Sequence, residues 1–479
     1  MESLKEKTVN SVFWSGVEKF SAQGAQFVIG LLIARILLPA DYGLIAMLTI
    51  FIAVAQVFVD SGFGNALIQK QDRNQTDYST AFYFNIGIAI IVYAVIWLIA
   101  PWVAEFYNEP LLTRVMRVVG LNIIISAFSI VHRARLTVVL NFKLQALISL
   151  LSVVISGGVG MWMAYAGYGV WALAGQTLLN GFLGTLLLWV MSYWMPSFCF
   201  SIESFKKLFG FGSKLLLSGL LHTLYMNLYS LVIGKKYNVI DLGYYNRASA
   251  FPVVISGNLV SVISRVTYPI QCEMQDDPER LKASLFRFIR MSCYIIFPLM
   301  VGMLVLAKPM VALVLTEKWL PSVPLLQILT FAYMWEILMR MNYDILNVKG
   351  RTDYTLQSEV WKKLSAFGIL FATLPFGIEA LCWGLVLYSW VDLFIITRYT
   401  NKLIEVGLWT ELKVVFPIIL LAGGMGLCVW AVSLLFSSYL LQLIVGVVVG
   451  MVFYVSLSIL LHLDEFFVVW SSVKSKLHR

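Results

Sequence analysis

Charged side chains occur inside long apolar stretches of this sequence, where an ionisable group costs free energy and is therefore a functional candidate. Basic residues in such positions could meet an anion, and arginine suits this because its planar fork offers several N–H donors at once. Together they could form a cationic path through the apolar stretches. The candidates for this path are Lys19, Arg35, Lys214, Arg247 and Arg265.

Uncharged polar residues accompany the basic ones in the first apolar stretch. Lys19, Gln23 and Gln26 are spaced i, i+4, i+7, and Glu18 lies eight positions before Gln26, so a helix would place them on roughly one face. This face predicts the wall of a polar cavity, to which Asn258 would add an amide. The alternative is that the charged members lie at the membrane interface, where long basic side chains snorkel to the headgroups.

Three residues are candidates for binding a coupling ion, either a proton or sodium. His222 lies near the middle of its stretch, and histidine alone has an unperturbed pKa close to neutrality. Asp60 and Asp392 lie within other stretches, and Asp392 has no obvious partner nearby in the sequence. The alternatives are a packing role for His222, pairing of Asp60 with Lys19, and pairing of either aspartate across the helices.

A charged stripe is predicted in the tenth apolar stretch, where Glu336, Arg340 and Asp344 recur every four residues with alternating sign. Local pairing would lower the cost of burying them, so a structural ion network is the favoured interpretation. A cavity wall that rearranges is the alternative. Nearby, Glu359, Lys362 and Lys363 are predicted to be interfacial.

The composition identifies the elements that must hold these residues. Hydrophobic residues make up 60% and charged residues 13% of 479, and the mean hydropathy is +0.83. A soluble core could not bury this excess of apolar residues, whereas a membrane can. The net charge of +9 lies mainly between the apolar stretches, which argues against nucleic-acid binding. The five scattered cysteines and sparse histidines predict no disulfide, metal site or cofactor, and no nucleotide-binding loop is present.

The apolar stretches predict an all-α polytopic membrane protein of about 14 transmembrane helices, with twelve or thirteen left open. The first helix shows no signal-peptide cleavage site and is expected to remain. The predicted spans are 12–37, 43–68, 80–104, 113–132, 146–165, 169–195, 208–234, 244–270, 287–307, 321–347, 356–375, 378–398, 413–436 and 439–462. With the N-terminus inside, inner segments carry 21 Lys and Arg against 4 outside, so both termini are predicted to be cytoplasmic.

An internal repeat relates the two halves of the chain. Residues 39–43 (PADYG) follow Arg35, and residues 239–243 (VIDLG) follow Lys235, at an offset of 200. Six predicted spans separate the copies, which is typical of two parallel lobes. Asp41 and Asp241 are predicted to cap the helices that follow them.

Several stretches resemble the polysaccharide transporter family of the multidrug/oligosaccharidyl-lipid/polysaccharide exporter superfamily. They are residues 13–20 (FWSGVEKF), 34–47 (ARILLPADYGLIAM), 60–70 (DSGFGNALIQK) and 244–248 (YYNRA). The resemblance implies two six-helix lobes around a central cavity, at residues 1–195 and 196–400, with two further helices and a cytoplasmic tail at 401–479.

The resemblance also implies an activity. The chain would flip undecaprenyl-pyrophosphate-linked oligosaccharide across the bacterial inner membrane by alternating access, with ion coupling, and the cationic path would meet the pyrophosphate. Membrane lipid and the polymerase and glycosyltransferases of the pathway are the expected partners. The alternatives are a multidrug or cation antiporter of the same superfamily and, in another class, a membrane glycosyltransferase or polymerase. No connection is long enough for the sugar chemistry of such an enzyme.

Overall fold

The computed structural model describes residues 21–60, 62–70, 72–139, 141–468 and 470. Two predicted cavity residues, Glu18 and Lys19, lie outside these ranges. Within them, the regular secondary structure is entirely helical.

The α-helices follow one another with short connections. Their bounds are α1 Ser21–Ile36 in its described part, α2 Pro39–Asp60, α3 Phe63–Gln69, α4 Gln75–Tyr107, α5 Leu111–Val138, α6 Phe142–Tyr165, α7 Val170–Ser192, α8 Ile202–Lys236, α9 Val239–Cys272, α10 Pro278–Val305, α11 Ala307–Val314, α12 Val323–Tyr333, α13 Glu336–Val348, α14 Thr352–Thr373, α15 Ile378–Ile404, α16 Leu408–Ser433 and α17 Tyr439–Leu460. Short 3-10 turns occupy Glu317–Ser322 and Leu374–Phe376.

Eleven helical segments of the described chain are long and apolar enough to cross a membrane. The protein is therefore an all-α, multi-pass membrane protein. The described part of α1 is apolar but shorter, whereas α8 and α14 have the length of a span and are more polar. The count of fourteen requires that these three helices also cross the membrane, and it stays a prediction.

Helix α4 illustrates how local sequence sets these elements. Asn74 begins it with a capping box, in which its side chain accepts from the Asp77 amide and the Asp77 carboxylate accepts from the Asn74 amide. Asn108 ends it in the left-handed conformation, which asparagine tolerates better than most residues. Large apolar side chains such as Leu98 and Trp102 point outward, as expected where lipid replaces water.

The packing of the described chain divides into two compact units after Gly243. In the first unit, α5 packs against α4 and α7, while α8 packs against α2, α3 and α4. In the second unit, α16 packs against α10 and α17, and α15 packs against α12, α13 and α14. The lobe boundaries expected after residues 195 and 400 remain predictions.

The tenth predicted span differs from a single continuous helix. Helix α12 ends at Tyr333, Met334 and Trp335 form a turn, and α13 begins at Glu336. All three members of the predicted charged stripe consequently lie on α13, a short amphipathic helix.

The two copies of the repeat contact each other reciprocally inside the first unit. A Cβ atom added at Gly43 would overlap the backbone carbonyl of Val239, and one added at Gly243 would overlap that of Pro39. Each glycine therefore allows the first turn of α2 or α9 to touch the backbone of the other. The contact pairs repeat-equivalent residues, because Pro39 and Val239 are 200 positions apart, as are the two glycines.

The two aspartates of the repeat lie in equivalent first turns. The Asp41 carboxylate accepts a hydrogen bond from the amide of Leu38 at 2.9 Å, immediately before α2. The Asp241 carboxylate accepts from the Asn238 side-chain amide at 2.9 Å, and the Asp241 backbone N–H donates to Asn238 Oδ1 at 2.7 Å. Both aspartates thus bind the residue that precedes their helix, and at α9 that residue itself supplies the side-chain cap.

We expect Gly43→Ala and Gly243→Ala each to destabilise the protein by about 1–3 kcal/mol, because a methyl group has no space against a facing backbone. The thermal unfolding midpoint of the purified protein in detergent measures this loss. Gly87→Ala in α4 is the matched control, because nothing lies within 4 Å of its added Cβ. Equal midpoints for all three variants would show that the reciprocal contact carries no stability.

Candidate functional site

A polar cavity of about 460 Å³ lies in the second unit, between α9 and α13. Each helix contributes residues at intervals of three or four, so each presents one stripe to the cavity. The polar lining residues are Ser261, Ser264, Arg265 and Tyr268 of α9 and Glu336, Arg340, Asp344 and Asn347 of α13, and Gly257, Val260 and Pro269 of α9 complete the lining. Each of the polar side chains ends in a hydroxyl, guanidinium, carboxyl or amide group, although the helices that carry them are apolar enough to cross a membrane.

A three-residue contact organises the centre of this cavity. The Ser264 hydroxyl donates to Asp344 Oδ2, while Arg340 Nε donates to Ser264 Oγ at 3.2 Å. Arg340 Nε also lies 3.2 Å from Asp344 Oδ1, which makes an ion pair. Asp344 is buried, with 1% of its side chain exposed, so it holds the inner edge of the Arg340 guanidinium, the edge that carries Nε, in place.

The outer edge of Arg340 remains available to a ligand. Its side chain is 46% exposed, and its two terminal nitrogens make no hydrogen bond to the part of the protein that the structure describes. Arg265 is exposed on the same cavity wall. Glu336 accepts a hydrogen bond from Ser256 at 2.8 Å. The cavity therefore offers two guanidinium groups, one of them held in orientation by a buried carboxylate.

The structure thus brings Arg265, predicted as part of a cationic path, together with the three residues predicted as a structural ion network. Two other predicted residues of the same unit lie elsewhere. Arg247 is buried with its guanidinium 5.9 Å from the ring centre of Trp319, and the Asn258 amide donates to the Val254 carbonyl at 2.8 Å. Neither lines the cavity.

A second cavity, of about 420 Å³, lies within the first unit at the ends of α2 and α5. Asp60, Asn65, Arg133 and Thr137 supply its polar lining. Gln56 donates to Asp60 at 3.4 Å, and both Asp60 and Arg133 are exposed. Asp60 was predicted as an ion-binding candidate, whereas Arg133 was not among the predicted site residues.

The remaining predicted residues of the first unit occupy α1 and α8. Gln23, Gln26 and Arg35 are exposed on α1, and His222 is exposed on α8. Lys214 lies in α8, but its side chain is outside the described part of the structure. The side chains of Gln23, Gln26, Arg35 and His222 line neither cavity.

Asp392 has a partner that was not predicted. Lys362 of α14 forms an ion pair with it at 2.9 Å, and only 6% of Lys362 and 14% of Asp392 are exposed. The packing of α14 against α15 buries Lys362, and the interfacial position predicted for it stays a prediction. The spacing indicates this pairing, because Lys362 and Asp392 both lie roughly three to four turns from the tight connection between α14 and α15 and so reach similar depths.

A second buried pair, also missed, anchors the first unit. Lys70 lies 2.6 Å from Asp77, which is fully buried. The same carboxylate closes the capping box of α4, so its role is explained by structure alone. Within the described residues, no group of three or more His, Cys, Asp or Glu side chains could hold a metal ion.

Comparison with known proteins places this architecture among relatives. The sequence profile of the family described as "Polysaccharide biosynthesis protein" matches residues 32–324, more than half of the chain. The teichuronic acid biosynthesis protein TuaB of Bacillus subtilis is 25% identical over 92% of both chains. The lipopolysaccharide biosynthesis protein WzxC of Escherichia coli is 27% identical over 75% of this chain and 74% of its own. The succinoglycan biosynthesis transport protein ExoT of Rhizobium meliloti is 23% identical over 96% and 94%.

Solved structures show the same fold. The lipid II flippase MurJ, in an inward closed conformation, aligns with a TM-score of 0.74 at 12% identity, over 94% of this chain and 99% of its own. An inward-facing multidrug resistance MATE transporter aligns with a TM-score of 0.60 at 15% identity, over 82% and 98%. The chain belongs to the polysaccharide biosynthesis protein family, whose members are polysaccharide transporters of the multidrug/oligosaccharidyl-lipid/polysaccharide exporter superfamily.

Proposed function

We propose that this protein flips an oligosaccharide linked to undecaprenyl pyrophosphate from the inner to the outer leaflet of the bacterial inner membrane. Membership of a transporter family makes it a carrier and not a catalyst. The names of its relatives connect that family to lipopolysaccharide, teichuronic acid and succinoglycan, which are all exported sugar polymers.

The observation that carries the proposal is the pair of guanidinium groups in the second-unit cavity. A lipid-linked sugar pyrophosphate has an anionic, strongly hydrated head on an apolar tail. Its head needs a polar cavity between apolar helices, and its phosphates need donors that stay charged at every physiological pH. Arg265 and the outer edge of Arg340 meet both needs. The buried Asp344 would hold Arg340 ready for the ligand, which reduces the ordering cost of binding.

The other basic residues of the predicted path belong to the same proposal. Lys19, Arg35, Lys214 and Arg247 would serve the pyrophosphate at other stages of an alternating-access cycle, in which two lobes open to one side at a time. Asp60, His222 and Asp392 remain candidates for coupling this cycle to a proton or sodium gradient. Membrane lipid, and the polymerase and glycosyltransferases of the pathway, would be its partners.

A multidrug or cation antiporter is the strongest rival, because a MATE transporter has the same fold. Fold alone does not carry substrate class. An organic cation would be repelled by Arg265, and Asp344 is already paired with Arg340. Glu336, which accepts a hydrogen bond from Ser256, is then the one carboxylate of the cavity lining that no ion pair neutralises, against the two guanidinium groups. The cavity therefore favours an anion.

We expect Arg265→Ala and Arg340→Lys to weaken binding of undecaprenyl pyrophosphate roughly tenfold to a hundredfold. Each removes charge-assisted hydrogen bonds worth about 1.5–3 kcal/mol. Lysine at position 340 keeps the positive charge beside Asp344 but lacks the planar guanidinium group with its several N–H donors. The measurement is the amount of lipid-linked oligosaccharide on each leaflet in cells lacking the protein and complemented with each variant, together with binding to purified protein.

Arg351→Ala is the matched control, since it removes the same charge from an exposed ion pair with Asp353 outside the cavity. It should restore outer-leaflet lipid as well as the wild type does. Full restoration by the two cavity variants would exclude these arginines from the path. An unchanged leaflet distribution in cells lacking the protein and any redundant transporter would refute the flippase itself.

The buried pair of Lys362 and Asp392 gives a test of ion coupling. Asp392→Asn removes the nearer of the two carboxylates that face the buried Lys362 and leaves only Glu359, at 3.5 Å. We therefore expect a loss of stability of up to about 3–5 kcal/mol. The double variant with Lys362→Met removes both charges and should recover most of that loss. Thermal unfolding of the single and double variants measures both effects.

Transport by the stable double variant then separates the two roles of Asp392. A purely structural pair predicts that transport still responds to proton and sodium gradients. Loss of the response to one gradient, with transport down the lipid gradient retained, would assign Asp392 to coupling of that ion. Failure of the double variant to recover stability would contradict the pairing itself.

We also propose that both termini face the cytoplasm, as the distribution of Lys and Arg predicts. In a variant lacking the native cysteines, Lys308→Cys should react with a membrane-impermeant maleimide added to intact cells. Lys206→Cys should react only after the membrane is permeabilised. The opposite result would invert the topology and with it the proposed direction of flipping. The native cysteines are Cys199, Cys272, Cys293, Cys382 and Cys428.

A further inference from the structure

Glu411 is a buried carboxyl group in the second unit that lines neither of the two cavities. It lies in the first turn of α16 and has no exposed surface. One carboxyl oxygen, Oε2, accepts a hydrogen bond from the side-chain amide of Asn342 on α13 at 3.0 Å. The other, Oε1, is buried and has no hydrogen-bond partner in the part of the chain that the structure describes.

No cation of the described chain forms an ion pair with this carboxyl. Within the described residues, no Lys, Arg or His lies within 4.0 Å of it, and no backbone amide donates to it. From α10 the neighbouring titratable group is the buried thiol of Cys293, and from α13 the neighbour is Asn342. Helices α15 and α17 present no ionised side chain to it among the residues that the structure describes. The helix N-terminus favours an anion, but this is a small effect beside the cost of an unpaired buried charge.

Asn342 can present only one orientation to Glu411. Its amide nitrogen donates both to the Leu338 carbonyl at 2.9 Å and to Glu411 Oε2 at 3.0 Å. Turning the amide over would set its oxygen against two acceptors. Its oxygen Oδ1 is also buried, and no donor among the described residues bonds to it. Glu411 and Asn342 therefore each have one buried oxygen, Oε1 and Oδ1, that accepts no hydrogen bond from the described residues.

A single proton on Glu411 resolves this arrangement. A neutral carboxylic acid has an O–H donor, and an acid facing an amide can exchange two hydrogen bonds with it, O–H to Oδ1 and N–H to Oε2. An ionised carboxylate would leave both acceptors unsatisfied and add an uncompensated charge. A metal ion would require more oxygen ligands than these two side chains supply.

We propose that Glu411 is a proton-binding site and that Asn342 links its protonation to the cavity through α13. Asn342 lies two residues from Arg340 and two from Asp344, on the opposite face of the same short helix. Release of the proton creates a charge that the α13–α16 contact cannot hold, so α13 shifts and carries Arg340 with it. The proton site stands on its own geometry, whereas its link to transport rests on the proposed flippase function.

Infrared spectroscopy of the purified protein tests the site without any transport assay. We expect a protonated-carboxyl carbonyl band at neutral pH that Glu411→Gln abolishes. Glutamine should fold normally, since its amide N–H can replace the acid O–H against Asn342. Asn342→Ala should keep the band and shift it, because the acid loses its hydrogen-bond partner. It also serves as the second variant if glutamine at position 411 fails to fold.

Glu465→Gln is the matched control. Glu465 is also buried, with 4% of its surface exposed, but it forms an ion pair with Arg290 at 2.5 Å and so has the cationic partner that Glu411 lacks among the described residues. This variant should leave the protonated-carboxyl band unchanged. A spectrum in which Glu411→Gln removes no such band would overturn the proton site. A band that appears only when sodium is withdrawn would also overturn it, because the carboxyl would then bind sodium when sodium is present.

Transport in proteoliposomes containing lipid-linked oligosaccharide tests the link to the cavity. A pH gradient should stimulate flipping by the wild type and by Glu465→Gln, and this stimulation should be lost in Glu411→Gln. A band assigned to Glu411 with undiminished stimulation in Glu411→Gln would keep the proton site and overturn its coupling. A band with no flipping by the wild type would instead reject the flippase function while leaving the proton site in place.

Discussion

An ionised side chain between apolar helices needs either an opposite charge or a cavity that admits water, and this constraint accounts for the buried charges discussed above. Lys70 and Asp77 satisfy it as an ion pair, in which Asp77 also closes the capping box of α4. Arg340 satisfies it in two ways, because one edge meets the buried Asp344 and the other faces the cavity. Arg265 relies on the cavity alone. Residues that depend on a cavity can bind a ligand, whereas those satisfied within the protein cannot, so the same rule separates structure from function.

Much of the fold could be predicted from the sequence, because the excess of apolar residues has no explanation except a membrane and long apolar stretches have no stable form there except helices. The stripe on α13 was equally visible, since local spacing sets which residues share a helix face. The partner of Asp392 was not predicted because it depends on how α14 and α15 align. Glu411 was missed for a related reason: the predicted span begins at residue 413, but α16 begins at Leu408, and tertiary packing buries Glu411 within its first turn.

The repeat at residues 39–43 and 239–243 shows how a short motif can encode a contact as well as a cap. Each copy places an aspartate where it binds the residue before its helix and a glycine two residues later. The reciprocal contact explains the glycines, since either backbone would collide with any side chain at the other position. Gly87, which faces open space, is under no such demand. The spacing of Asp and Gly is therefore a single geometric unit, used twice.

Helix α13 is the element through which the cavity and the buried acid can act on each other. Its residues advance by about 100° each, so Asn342 faces nearly opposite to both Arg340 and Asp344. One face therefore meets α9 and its serines while the other meets α16. The turn at Met334 and Trp335 separates α13 from α12, so α13 need not move with the helix before it. Coupling between two sites requires a structural element whose position both sites influence. Helix α13 meets this requirement, because Arg340 and Asp344 on one face contact Ser264 of α9 and Asn342 on the other face contacts Glu411 of α16.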